Sequence, residues 1–253
     1  VGGPGFAIAS EETSGLHAVA AAMRAIQRGE LRVALAGAVD LPADLRSLGA
    51  DGDDSTADQT GNADGAAAVI LKRLDDAIAD GDHVFAVLRG FAAASGDAVD
   101  GAAQLNDKAL LHAACGDSGM AADSVGLVVT DDLANAAEVA ELAAASPRCA
   151  FANPVSQLGH AGAANGMLSL VAACVALDQR RFPVTADAAT PSVIVPGKAQ
   201  HWLHNRAVGP RRAAVIAHSI GGGTACLVIE EAVVEVGPRR STGGQATRGT
   251  PHE

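Results

Sequence analysis

Leu16, Val19, Ala20, Met23 and Ile26 recur at helical spacing, and the pattern then changes to the nearly continuous apolar run Leu31-Arg32-Val33-Ala34-Leu35-Ala36-Gly37-Ala38-Val39. The first pattern predicts an amphipathic helix, with His17, Arg24 and Arg28 elsewhere on the wheel. The second predicts a largely buried strand. Thr13 and Ser14 are the expected N-caps and Gly29 the expected stop. Ahead of the helix, Gly3-Pro4-Gly5-Phe6-Ala7-Ile8-Ala9 reads as a short strand that enters a tight turn at Ser10-Glu11-Glu12. Strand, turn, helix and strand in that order make one α/β unit, so the chain must fold in layers.

A turn feeding a helix N-terminus is a suitable mount for a nucleophile. The first helical N–H groups lack partners there, and the macrodipole favours a thiolate. The apex of this turn offers Glu11 and Glu12 instead of a cysteine or a well-placed serine. A carboxylate is electrostatically at ease in that position but is a far weaker nucleophile toward a thioester. On residue chemistry alone, charge complementarity at the helix start accounts for both glutamates.

The chain has 253 residues, enough for one large domain or two small ones and for a sizeable core. It lacks tyrosine and has a single tryptophan, Trp202, so its alanine-rich interior suits close packing of helix on sheet. The formal charge of −11 argues against a nucleic-acid surface and against anionic membranes. No apolar run has the length and freedom from charge to span a bilayer, and no signal segment opens the chain. Cys115, Cys149, Cys174 and Cys226 are scattered and form no C-x-x-C pair, as expected of reduced thiols in a cytoplasmic protein. No metal site is expected. Val1-Gly2-Gly3-Pro4 leads almost directly into a core strand, which reads as a segment cut from something longer. Residues 237–253, rich in Gly, Arg, Thr and Pro, read as a linker or disordered tail.

Between these ends, strands and helices alternate. Residues 41–61 read as an acidic loop, Ala63–Leu74 as a strand, Asp75–Asp80 as a short helix and Asp82–Ala94 as a strand, with a turn at Asp80-Gly81-Asp82. Residues 95–104 read as a polar loop and Leu105–Gly116 as a helix. Val125–Thr130 is a buried strand, Leu133–Ala145 a helix and Cys149–Ala152 a short strand. Gly159–Leu177 reads as one long apolar helix, followed by an irregular stretch to about Pro210. Arg212–Ser219 and Thr224–Glu230 read as paired strands around Gly221-Gly222-Gly223.

Four ordered segments resemble the β-ketoacyl synthase family of the thiolase-like fold. Residues 3–39 resemble its nucleophile turn, following helix and next strand. Residues 61–90, Gly-Asn-Ala-Asp-Gly-Ala-Ala-Ala-Val-Ile-Leu-Lys-Arg-Leu-Asp-Asp-Ala-Ile-Ala-Asp-Gly-Asp-His-Val-Phe-Ala-Val-Leu-Arg-Gly, match it closely. Gln157-Leu158-Gly159-His160 resembles the family's Asn-Ile-Gly-His, and Ser219-Ile220-Gly221-Gly222-Gly223-Thr224 its late glycine loop. The resemblance covers roughly residues 3–232. It implies an α/β, layered α-β-α-β-α architecture of which only the later part is here, without the family's first strands and helices. The implied division is 1–95 for the remainder of the N-terminal half and 96–236 for the C-terminal half.

The departures bear on function. Where the family carries its acyl chain on a cysteine, this sequence has Glu12. Where the first of two histidines is expected after the strand ending at Val129, it has Asp131, and Val155 stands where a lysine is expected. Only His160 matches, and the late loop reads Thr224-Ala225-Cys226 in place of Asn-Ala-His. Loss of the nucleophile alone removes the acyl-enzyme, and loss of an oxyanion-type donor typically costs a further ~10²–10³-fold. The pattern resembles a chain-length-factor or pseudo-ketosynthase domain, above all the inactive ketosynthase-like domains of polyunsaturated fatty acid and glycolipid-type polyketide synthases.

That resemblance implies dimerisation with an active ketosynthase and an acyl cavity lined by the Ser219–Thr224 loop. It also implies phosphopantetheine-linked acyl or malonyl groups delivered by an acyl carrier protein, with no cofactor bound directly. The alternative is a malonyl decarboxylase or residual acyltransferase using Glu12 and His160. A carboxylate beside a developing enolate repels it unless protonated, which weighs against that alternative. His160 is expected to be structural, at the start of the long helix, and Cys226 a small buried strand residue. Arg180-Arg181 and Arg211-Arg212 are expected on a solvated surface, with contact to a carrier protein or its phosphate as the other reading.

Overall fold

A computed structural model describes residues 3–41, 63–95, 106–133, 135–185 and 193–233. The expected loops at 41–61 and 95–104 and the tail at 237–253 lie, but for Leu41 and Ser95, outside the described residues.

The amphipathic helix α1 (Ser14–Gln27) buries Leu16, Val19, Ala20, Met23 and Ile26, the residues its period selects. Arg28 and the turn at Gly29 (φ 73°) end it. The chain then forms β1 (Val33–Asp40), which pairs antiparallel with β2 (Gly65–Lys72). Helix α2 (Leu74–Asp80) stops at Gly81, whose φ of 74° provides the left-handed cap. Lys72 Nζ closes this corner on the carboxylates of Asp80 and Asp82.

A five-stranded sheet forms the centre. Its order is β3 (Val87–Ser95), β9 (Gly223–Glu230), β8 (Arg212–His218), β4 (Leu127–Thr130), β5 (Ala150–Ala152). The short strands β6 (Arg181–Phe182) and β7 (Gln200–His201) pair antiparallel with each other, apart from this sheet. β4 runs parallel to β8 and β5, whereas β9 is antiparallel to β8 and β3. β4, β5, β8 and β9 are buried along most of their length, which explains their continuous apolar runs.

One face of this sheet packs on α1 and on α6 (Asn165–Gln179), which in turn carry the inner face of the β1–β2 pair. Leu16, Val19, Leu170 and Leu177 meet Leu127, Val215, Leu227 and Ile229 there. The other face packs on α3 (Asp107–Asp117) and α4 (Ala136–Ala145), where Leu110, Leu111 and Leu142 meet Phe151 and Ile216. Asn106 and Asn135 cap these two helices. The described residues thus stack as sheet, helices, sheet, helices. The outer face of β1–β2 exposes Val33, Leu35, Val39 and Ile70.

Four expectations need correction. The run Leu31–Val39 is not largely buried: β1 pairs only with β2 among the described residues, so one of its faces carries the exposed Val33, Leu35 and Val39, and of its residues Ala36 alone is fully buried. Residues 3–10 form no strand, because no neighbour among the described residues pairs with them. β3 begins at Val87 rather than Asp82. The expected long helix from Gly159 is broken: α5 (Val155–Leu158) ends at Gly159 (φ 83°), and a 3₁₀ turn over Gly162–Ala164 precedes α6. Gly162 is at φ 48°, and an added Cβ there would lie 2.3 Å from Asp40 Oδ2, so both backbone and space call for glycine.

Candidate functional site

The apex before α1 is a 3₁₀ turn, Glu11–Thr13, held by hydroxyl groups. The Thr13 hydroxyl donates to the Ser10 carbonyl at 2.7 Å and the Ser14 hydroxyl to the Glu11 carbonyl at 2.6 Å. Ser14 Oγ also accepts the Ser10 N–H at 2.8 Å. Thr13 occupies the N-cap position of α1, but no side-chain cap bond forms there: Thr13 and Ser14 close the turn itself. Glu11 sits at φ 47°, a left-handed conformation uncommon for a non-glycine residue.

Both apex carboxylates reach across to the glycine loop between β8 and β9. Glu12 is buried, and its Oε2 accepts the Ile220 N–H at 3.1 Å. Glu11 Oε2 accepts the Gly221 N–H at 2.7 Å. A Cβ at Gly221 would lie 2.8 Å from that same oxygen, so a side chain there would push the carboxylate away. The loop is closed on itself by the Ser219 N–H to the Gly223 carbonyl at 2.7 Å and the Gly223 N–H to Ser219 Oγ at 2.9 Å. Gly222, at φ 79°, makes that closure. Thr224, the second residue of β9, pairs with His218.

Asp131, just beyond β4, faces His218 at the end of β8. Asp131 Oδ1 lies 2.7 Å from His218 Nδ1, and Oδ2 accepts the His218 backbone N–H at 3.2 Å. His218 Nε2 lies 2.9 Å from Oδ1 of the buried Asp107 on α3. Burial alone would keep this imidazole neutral. The hydrogen bonds and charges of Asp107 and Asp131 together outweigh burial and raise the His218 pKa to about 10. Glu138 of α4 completes a group with Asp107 and His218 whose ligand atoms lie within 4.8 Å of one another. Burial first, and then Asp107, raises the Glu138 pKa. An imidazolium with both ring nitrogens bonded to carboxylates has no lone pair for a metal. His218 carries no signal in the sequence, since the short motif around it gives no sign that β8 ends beside β4.

His160 is half-buried in the turn between α5 and the 3₁₀ segment, five positions ahead of α6 rather than at its start. Its Nδ1 accepts the Gly162 N–H at 3.3 Å, and its carbonyl accepts the Ala63 N–H at 2.9 Å. Asp40, at the end of β1, fixes the same turn by accepting the Ala163 N–H at 2.8 Å. Asn165 Oδ1 accepts the Ala161 N–H at 2.8 Å, while its buried Nδ2 has no hydrogen-bond partner among the described residues. Val155 is buried at the start of α5 and brings no amine. The structure therefore joins Glu12 to the Ser219–Thr224 loop and Asp131 to the strand leading into it, while His160 is held by its own turn.

Cys226 is fully buried in β9, and burial pushes its thiol pKa well up, which suits a core residue and not a displaced nucleophile. Arg180, Arg206 and Arg211 converge on the buried Glu231 at 3.1, 3.0 and 2.9 Å, and Arg212 pairs with Glu230 at 2.8 Å. Three of the four arginines expected on a solvated surface are thus engaged in ion pairs, and Arg211 is buried.

Residues 1–77 match the family model for the N-terminal domain of β-ketoacyl synthases. Over 262 aligned residues the chain is 32% identical to the phthioceranic/hydroxyphthioceranic acid synthase of Mycobacterium tuberculosis, covering 91% of this chain and 12% of that protein. It is 31% identical to the 6-methylsalicylic acid synthase of Aspergillus niger, over 90% of this chain and 15% of that one. The oxazolomycin ketosynthase domain OzmH KS7 of Streptomyces albus superposes with a TM-score of 0.78 at 26% identity, covering 93% of this chain and 48% of that domain.

The chain belongs to the β-ketoacyl synthase family. Its fold is thiolase-like, and the chain spans about half of the solved ketosynthase and less than a fifth of these synthases. A ketosynthase from module 6 of the Bacillus subtilis bacillaene synthase, with a TM-score of 0.77 at 22% identity, shares the fold. No helix of the described residues is long and apolar enough to cross a membrane.

Proposed function

We propose that this ketosynthase-family segment belongs to a non-catalytic, chain-length-factor-like domain of a fatty acid or polyketide synthase. It pairs with an active β-ketoacyl synthase and shapes the cavity for acyl groups carried on the phosphopantetheine arm of an acyl carrier protein. One observation carries this reading: the Glu12 carboxylate, at the position where the family resemblance implies a cysteine, is bound to the Ile220 N–H. A group held in that way neither forms a thioester nor faces a substrate as a free base. The side chains at the other two expected positions support the same reading. Asp131 is paired with His218, and Val155 has no ionisable group. The malonyl decarboxylase alternative requires Glu12 to face substrate and finds no support in this arrangement.

The test uses the intact protein containing this segment, with and without an active ketosynthase, incubated with malonyl-carrier protein. Mass spectrometry then follows CO₂ loss and acyl adducts. The expected result is no adduct and no CO₂ loss attributable to this domain, with product length shifting when Ile220 or Thr224 is enlarged in the paired assembly. Acetyl-carrier protein that forms without the partner and vanishes on Glu12→Ala would overturn the reading.

A further inference from the structure

The outward N–H groups of Ile220 and Gly221 converge on carboxylates from one short turn, Glu12 and Glu11. Successive backbone N–H groups aimed at one side of a loop make an anion cradle. In this chain the cradle is filled by the protein's own side chains. Glu11 is aimed there by a backbone at φ 47°, a strained state that persists only where the surroundings enforce it. The surroundings here are the hydrogen bonds that the Ser10, Thr13 and Ser14 hydroxyls make within the turn on one side and the Gly221 N–H on the other.

The geometry points to a double latch. Glu11 and Glu12 together occupy the glycine-loop cradle and close it to the carbonyl or carboxylate of an incoming acyl group, and Glu11 is the positioning residue that holds the loop's outer end. This deepens the partner-domain reading, on which it rests, since it states why the apex binds no acyl thioester. Two carboxylates at one loop also set a negative field that disfavours a malonyl group more than an uncharged acyl chain.

Glu11→Gly separates the latch from the strain, because glycine adopts φ 47° freely yet has no carboxylate. Amide exchange, read residue by residue in the intact protein, should be faster at Gly221 by roughly ten- to a hundredfold, the range for losing one charge-assisted hydrogen bond. Ile216 and Val228 in the core sheet should exchange unchanged, which certifies the fold. Glu12→Ala should speed Ile220 in the same way, and Glu12→Gln, which keeps an acceptor oxygen, should restore most of the protection. In the Glu11→Gly/Glu12→Ala double variant, sodium formate should protect both amides, whereas the unaltered protein should show no response. Unchanged exchange at Gly221 in Glu11→Gly, or formate protection of the unaltered protein equal to that of the double variant, would overturn the latch. So would a double variant that formate leaves unprotected. A domain that proved to decarboxylate malonyl while keeping these amides protected would sink the partner role and leave the latch standing, so the two failures are distinguishable.

Discussion

His218 Nδ1 lies 2.7 Å from Asp131 Oδ1, and the same imidazole meets Asp107 through its other nitrogen at 2.9 Å. This bridge ties the ends of β4 and β8 to the start of α3. It gives Asp131 a structural partner where the family pattern leads one to expect a histidine with a chemical task.

The bridge makes stability depend on pH. The folded-state pKa of His218, about 10, exceeds the ordinary 6.5. Its contribution is therefore complete below pH 6.5 and is lost as pH rises through 10. Thermal denaturation between those values should show the melting temperature falling with pH, and Asp107→Asn should flatten the fall. Asp131→Ala should cost about 3 kcal/mol or more by leaving a buried charge with one partner.

Glu231 has the opposite sign. Burial would raise its pKa, but Arg211, through a hydrogen bond and its charge, and Arg206 hold it below the usual 4.5. Its contribution is present above pH 4.5 and is lost as pH falls through the lower folded value. Glu231→Gln should destabilise by roughly 3–5 kcal/mol in denaturant unfolding near neutral pH, since the buried Arg211 loses its counter-charge.

Glu12→Cys alone should restore no condensing activity. The thiol would stand at the right turn, but Asp131 remains bound to His218 and Val155 supplies no amine. A radiolabelled acyl-transfer assay should find no condensed product above the level of the parent protein. Condensed product from this single change would show that Asp131 and Val155 do not limit condensation.

Gly90 packs β3 against α3 so tightly that an added Cβ would sit 2.0 Å from the Ala114 carbonyl oxygen. Gly90→Ala must separate strand from helix and should cost about 3 kcal/mol, with a lowered midpoint in urea unfolding.

How much of this was readable in sequence follows from the range of each interaction. The α1 stripe and the runs of β4, β8 and β9 were legible because burial writes itself locally, as a period or an unbroken apolar stretch. The break at Gly159–Gly162 was not, because Gly159–Leu177 stays apolar while the backbone turns to meet Asp40 from β1. The opening strand was over-read because residues 3–10 have strand chemistry but no pairing neighbour among the described residues. In the candidate site, the positions of Glu12, Asp131 and the glycine loop came from resemblance. Their partners did not: a bond from Glu12 to Ile220 or from Asp131 to His218 spans distant sequence, and no spacing encodes it. The ion pairs of Arg180 and Arg211 were missed for the same reason.

The N–H groups of His218, Ile220 and Gly221 each end on a carboxylate, supplied by Asp131, Glu12 and Glu11. Substitutions at these positions are therefore epistatic. Changing one acid leaves a donor and two neighbouring acids still arranged for the old network, so its effect depends on which of the others remain. The glycine loop is therefore set by three acids acting as one unit, and the effect of replacing any of them is fixed by the two that stay.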